Sequence, residues 1–182
     1  VVPSGSYSSI FAQRSFSYTR EQYTASRTAL SFAGGGEVSF SCRPTGESGL
    51  VEIRGYLCSS SGFDTGSGVP SGTVLAFGSG GEDYGFTYQV SGGQTYYLWT
   101  VVDFCGSEGV PLEVTVEPLS WSYSLVNKGS YTGIARAEKS FSMSLGAFQT
   151  GRMTLSFSYS GQAEISVSAS GEAFSGLVFV SQ

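Results

Sequence analysis

Three cysteines, two lysines and fourteen carboxylates are the residues from which any chemistry of this chain would have to be built, and no histidine accompanies them. Without an imidazole the Ser-His-Asp and Cys-His nucleophile systems are excluded, along with the usual general base and nearly every catalytic zinc site. Lys128 and Lys139 are conceivable bases for a serine nucleophile, but neither sits in a recognisable motif. The acids are dispersed along the chain, as solvated surface acids are, rather than paired as a glycosidase requires. The glycine strings contain no G-x-x-x-x-G-K-[ST], and none leads from a strand into a helix, so phosphate cradling is not supported. The expectation is a protein without enzymatic activity and without a cofactor.

Two other groups of residues could bind. Glu82-Asp83 in "GSGGEDYG", with Asp64 in the preceding loop, could offer oxygens to calcium, but the spaced D-x-D pattern is missing and an exposed turn is the plainer reading. In "TYYLWTVVDF" Leu98, Val102 and Phe104 share one parity, which leaves Tyr97 and Trp99 on the other. That pair could stack on a sugar ring or on another subunit, or pack beneath a loop.

Parity also sorts the cysteines. Cys42 follows Val38 and Phe40 on an inward face and reads as a buried free thiol. Cys58 and Cys105 fall on the outward parity at strand ends, so a Cys58–Cys105 disulfide is expected, stabilising by about 4 kcal/mol in the chain-entropy model. An oxidising compartment would follow. The alternative is three reduced thiols in a cytosolic protein.

The elements that must hold these residues are strands. In "RMTLSFSYSGQAEISVSAS" (152–170), Met153, Leu155, Phe157 and Tyr159 alternate with polar residues, as do Ala163, Ile165, Val167 and Ala169, which predicts a hairpin turning at Ser160, Gly161 and Gln162. Period-2 alternation predicts further strands near 6–18, 28–33, 37–43, 50–58, 73–78, 84–91, 95–104, 112–117, 121–126, 139–145 and 174–181, with no stretch of helical period. The fold class is all-β, an antiparallel β-sandwich of jelly-roll or Ig-like type. Charged residues are 13% of the chain, against roughly 25% in average soluble domains, so hydroxyls carry solubility. A net charge of −5 with scattered basic residues argues against nucleic acid and anionic membranes. The longest apolar run, "YYLWTVV" at 96–102, is far short of the ~20 residues that span a bilayer. A start at Val1 without a basic-then-apolar leader fits a secreted chain whose signal peptide has been removed.

An internal repeat of roughly 115 residues organises the strands. "EVSFSCRPTGESGLVEIRGYL" echoes the 152–170 hairpin, with Glu52-Ile53 aligned to Glu164-Ile165; "SYTREQYTASR" from Ser17 aligns with "SYTGIARAEK" from Ser130. Two related β domains result, 1–117 and 118–182, and the second lacks the counterparts of "YGFTYQV", "TYYLWTVVDF" and "LEVTVE". The alternative is one large sandwich using every strand.

The pattern of "SYSSIFAQRSFSYT" near the N-terminus and "GLVFVSQ" at the C-terminus resembles extracellular filament subunits assembled by donor-strand complementation, such as archaeal threads and bundling pili. That resemblance implies a secreted or cell-surface structural protein that polymerises with copies of itself, with the N-terminal segment as donor through Tyr7, Ile10, Phe11, Phe16 and Tyr18. An incomplete second copy would leave sheet edges that gain main-chain hydrogen bonds from a neighbour's strand. A second expectation is a tandem binding module of a larger secreted protein, holding glycan or protein at Tyr97 and Trp99. "VSGGQTYYLWTVV" is similar to the strand pair of domains found after the catalytic domain of secreted bacterial proteases. A capsid or decoration protein is a third possibility.

Overall fold

The computed structural model describes residues 1–46, 50–134, 140–146, 148–158 and 160–168, the side chains of 124 and 128 excepted. The strands are β1 (Val2–Ile10), β2 (Arg14–Arg20), β3 (Thr24–Phe32), β4 (Gly36–Pro44), β5 (Glu52–Cys58), β6 (Phe63–Asp64), β7 (Val69–Pro70), β8 (Val74–Gly81), β9 (Tyr84–Val90), β10 (Thr95–Phe104), β11 (Val110–Pro118), β12 (Ser124–Ile134) and β13 (Gln149–Phe157). The chain is all-β, and among the described residues no helix is long and apolar enough to cross a membrane. It divides into two compact units, Val1–Val126 with Ser144–Gly151, and Asn127–Met143 with Arg152–Gln182.

The first unit holds two main sheets, one in the order β1-β3-β10-β5-β8 and the other β2-β11-β4-β9. Alternation dictates the inward faces. On β4, Val38, Phe40 and Cys42 are buried while Ser41 and Arg43 are exposed; β11 does the same with Leu112, Val114 and Val116. These side chains meet Leu30, Phe32, Ile53, Leu57, Leu98 and Val102 of the other sheet in one apolar core, with Phe32 edge-on to Phe40 at 6.3 Å between ring centroids. Each such side chain taken out of water stabilises the fold by about 1.5–3 kcal/mol before ordering costs. Phe104, expected on the inward parity, is exposed, because the β10–β5 ladder shifts register between Val102 and Phe104.

One end of this core is polar. Gly55 has no side chain where the Tyr84 ring lies, so Tyr84 reaches across to Thr100, and the two hydroxyls are 2.8 Å apart. Ser26 and Thr28 are buried on the same inward face of β3. Desolvation raises the phenol pKa of Tyr84, and of Tyr18 beside it, well above the ordinary value.

The N-terminal segment, predicted as one strand over 6–18, is two strands in different sheets. β1 pairs with β3, in the one parallel ladder among the described main-sheet strands, and β2 pairs antiparallel with β11. Tyr7 of β1 stacks on Phe16 of β2 at 4.8 Å, joining the two edges, while Ile10 is buried in the core. Residues expected to be lent to another copy therefore pair within their own chain. Tyr18 packs on the core, and only Phe11 of the five donor candidates is exposed.

In the second unit, the 152–170 hairpin is replaced by a different pairing. β13 forms a two-stranded sheet with β12, and residues 162–168 form no strand. Met153 and Leu155 alternate in burial with Thr154 and Ser156 as expected, but Ile165 and Val167 are exposed. Tyr159, Ala169 and the strand expected at 174–181 lie outside the described residues. Residues 140–146 are not a strand, whereas β12 runs on past the predicted 121–126.

Candidate functional site

The outer faces of the two main sheets differ in kind. On the β4–β11 side the outward residues are Ser39, Ser41, Arg43, Glu113 and Thr115, with Arg43 and Glu113 in a surface ion pair of 2.8 Å. On the β3–β10–β5 side the outward residues include Ala25, Tyr56, Cys58, Trp99 and Val101, which form a second apolar cluster. Strand register assembles it: Trp99 lies opposite Arg27 on one side and Tyr56 on the other, and Val101 lies opposite Ala25 and Arg54. The cover comes from the segment after β5, where β6 and β7 pair and bring Phe63 and Val69 onto the cluster. The Phe63 ring lies 4.8 Å from that of Trp99.

Beside this cover a cleft of about 360 Å³ opens, lined in part by Tyr23, Ala25, Arg54, Phe63, Ser67 and Asp103. Its charged pair is rigidly placed. Arg54 donates from Nε to Asp103 Oδ2 at 2.5 Å and from Nη2 to Asp103 Oδ1 at 2.6 Å, a bidentate fork between residues that are diagonal neighbours across the ladder. Nη1 donates to the Tyr56 hydroxyl at 2.7 Å and Nη2 also to the Gly68 carbonyl at 3.3 Å. The hydrogen bonds to Asp103 raise the guanidinium pKa further, so Arg54 stays charged. Across the covering loop, Asp64 accepts from Ser67 Oγ at 2.7 Å and from the Gly66 N–H at 2.9 Å, which holds its carboxyl below the usual range and fixes the turn. Tyr23, with a positive φ of 58°, projects into solvent at the rim and is 83% exposed.

The aromatics expected to bind split. Trp99 is fully buried beneath the 59–72 segment, the loop-covered alternative, so it is the floor of the cluster and not a stacking surface. Its indole N–H has no partner among the described residues. Tyr97 is half-buried against the same cluster. The residues that line the cleft, Arg54, Asp103, Phe63 and Tyr23, were not singled out by sequence reasoning. A signal existed for two of them: Arg54 in "EIRGYLC" and Asp103 in "TVVDFC" are charges set among the apolar residues of their strands.

The Cys58–Cys105 bridge is not formed, and all three cysteines are free and buried. Cys58 lies opposite Tyr97 near the start of β10, whereas Cys105 follows its end. Eight residues at ~3.3 Å each place them roughly 25 Å apart, beyond the ~7 Å Cα limit for a bridge. Burial pushes the Cys42 thiol up to about 12 and Cys58 up to about 11, and also raises Cys105, whose Sγ donates to the Arg20 carbonyl. All three are thus held as thiols at neutral pH, the opposite of what a nucleophile or metal ligand needs. Among the described residues no three His, Cys, Asp or Glu side chains gather as a metal cage; Glu82 and Asp83 lie at the β8–β9 turn. Lys139 and the Lys128 side chain lie outside the described residues.

No protein-family model matches the chain, and a search of curated proteins finds no match. Among solved structures, the pre-peptidase C-terminal domain of collagenase from Bacillus anthracis is similar at 12% identity and a TM-score of 0.44, covering 64% of this chain and 93% of that one. The Yersinia pseudotuberculosis-derived mitogen is similar at 10% identity and 0.43, covering 60% and 87%. CorA, a surface-associated copper-binding protein of Methylomicrobium album BG8, is similar at 6% identity and 0.42, covering 64% and 98%. None reaches a TM-score of 0.5, too low a likeness for a site or a topology to be carried across to this chain.

Proposed function

We propose that this chain is a non-catalytic β-sandwich binding module of a secreted or cell-surface protein, holding glycan or protein on the outer face of the β3–β10–β5 layer. The observation that carries it is the cleft itself: a sheet face that would ordinarily be solvated carries an apolar cluster, a covering loop and a preset Arg54–Asp103 pair. The lining is divided about evenly between apolar side chains and polar groups, several of them fixed by hydrogen bonds, and concave sites with convergent fixed polar groups are where ligands are held. The absent imidazole supports binding rather than turnover as the use of such a cleft. The test is to probe the protein against arrays of extracellular polysaccharides and surface proteins, with the Tyr23→Ala/Phe63→Ala variant as control. Binding that the double variant loses supports the reading; binding by neither, with the first unit folded, overturns it.

A second reading is assembly with copies of itself, with the second unit as an incomplete β copy completed by a neighbour. It is favoured by the apolar side chains that the second unit leaves exposed among its described residues, Met143, Ile165 and Val167. Exposed apolar side chains are what an association surface would cover. Light scattering and negative-stain imaging of the full chain test it: fibres or defined oligomers support assembly, and a monomer at high concentration sinks it.

A further inference from the structure

Resting on the binding-module reading, we infer that the cleft takes a neutral, polyhydroxylated ligand, a sugar ring set with its apolar face toward Phe63 and Tyr23 and its hydroxyls on the Arg54–Asp103 pair. The hydrogen-bond inventory selects this class. Arg54 has five N–H donors, of which two go to Asp103, one to Tyr56 and one to Gly68, leaving one on Nη1. Asp103 accepts two bonds of the roughly four a carboxylate can take. Spare donor capacity on Nη1, the nitrogen not bonded to Asp103, and spare acceptor capacity on Asp103 therefore remain on a pair whose net charge is zero. Hydroxyls both donate and accept, so different hydroxyls of one ring can serve each. An anion offers acceptors alone and meets the Asp103 carboxylate, and a cation meets the guanidinium.

Size and surface agree. About 360 Å³ is at the small end of ligand pockets, which run from ~300 to 1,000 Å³, so the cleft suits one or two rings rather than a long chain segment. Phe63 is fixed by its contact with Trp99, while Tyr23 stands exposed at the rim, so the aromatic side combines one preset ring and one free ring. Such rings can cover the C–H face of a sugar.

The test is titration of the ¹⁵N-labelled full chain with a panel of neutral mono- and disaccharides, their uronic acid and amino-sugar counterparts, and any protein ligand found by array. Neutral sugars are expected to shift amides around residues 23–25, 54, 63–68 and 101–103. Arg54→Lys, which keeps the charge but loses the fork, and Phe63→Ala are each expected to weaken binding at least tenfold in variants whose remaining spectrum is unchanged. Preference for the charged sugars overturns the neutral class, and neutral-sugar shifts elsewhere on the chain overturn the site. A protein ligand lost with Tyr23→Ala/Phe63→Ala, with no sugar bound, overturns the sugar while leaving the binding-module reading in place. No ligand of any kind overturns both.

Discussion

Replacing Trp99 by phenylalanine should cost much less than its burial suggests. Trp99 is fully buried between Phe63, Tyr56 and Val101, so truncation to alanine leaves a cavity and is expected to cost about 3–5 kcal/mol. For a chain of this length each kcal/mol lowers the melting temperature by about 2–4 °C, so Trp99→Ala should fall by roughly 6–20 °C. Phenylalanine keeps the six-membered ring against Phe63 and loses about three heavy atoms, worth roughly 2 kcal/mol. It also removes an indole N–H that has no partner among the described residues, whose burial costs about 1–3 kcal/mol. The two changes nearly cancel, and Trp99→Phe should stay within about 4 °C of the parent. Urea and thermal unfolding followed by tryptophan fluorescence measure this in the first unit, where Trp121 remains as reporter. If phenylalanine is as damaging as alanine, the indole N–H is engaged in a stabilising bond and the cluster is misread.

Alkylation of the denatured, unreduced protein should add three groups and alkylation of the native protein none, since the three thiols are free and buried; a Cys58–Cys105 peptide in a non-reducing digest would refute the strand register. From neutral pH up to about pH 9 the thiols should leave stability unchanged, and above that it should fall. The unfolded thiols ionise near 9, while Cys42 and Cys58 stay protonated up to about 12 and 11, so the unfolded state gives up protons first and is favoured. Denaturant midpoints of the Cys42→Ala/Cys58→Ala variant should lose the part of the fall that starts near pH 9, whereas the part due to Tyr18 and Tyr84 above pH 10 remains. Gly55→Ala should destabilise by about 1–3 kcal/mol or more by driving a methyl into the Tyr84 ring, measured by urea unfolding; a neutral outcome would show that Tyr84 does not lie over Gly55.

The strands that were legible were those whose own alternation states which side is in. "EVSFSCR" and "LEVTVE" name their buried residues outright, and β4 and β11 bury those residues. "YYLWTVV" carried a second message: a run apolar on both parities belongs to a strand buried on both faces. Read by parity alone, its outward half could be an exposed platform or pack beneath a loop, and nothing in the run says that residues 59–72 are the ones that cover it. The break between β1 and β2 at Phe11-Ala12-Gln13 has neither glycine nor proline, so one apolar stretch concealed two strands of different sheets. The cysteines show the same division: parity gave the faces of Cys42 and Cys58, but the register shift after Val102 turns Cys105 into the main core instead of outward, and parity could not give the end of the ladder at which each sits.

The sequence by itself determined the all-β class, the inward faces of the main strands, the low charge and the absence of imidazole chemistry, because side-chain alternation and residue type are local properties of an extended backbone. The tertiary structure decided that β1 runs parallel to β3, that the loop after β5 roofs Trp99, that Cys58 and Cys105 stand at opposite ends of a ladder, and that Arg54 reaches Asp103. Each of these depends on which distant strand supplies the next ladder and in what register. That choice is made by the packing of whole sheet faces, in which a one-residue shift sends every side chain of a strand to the other face.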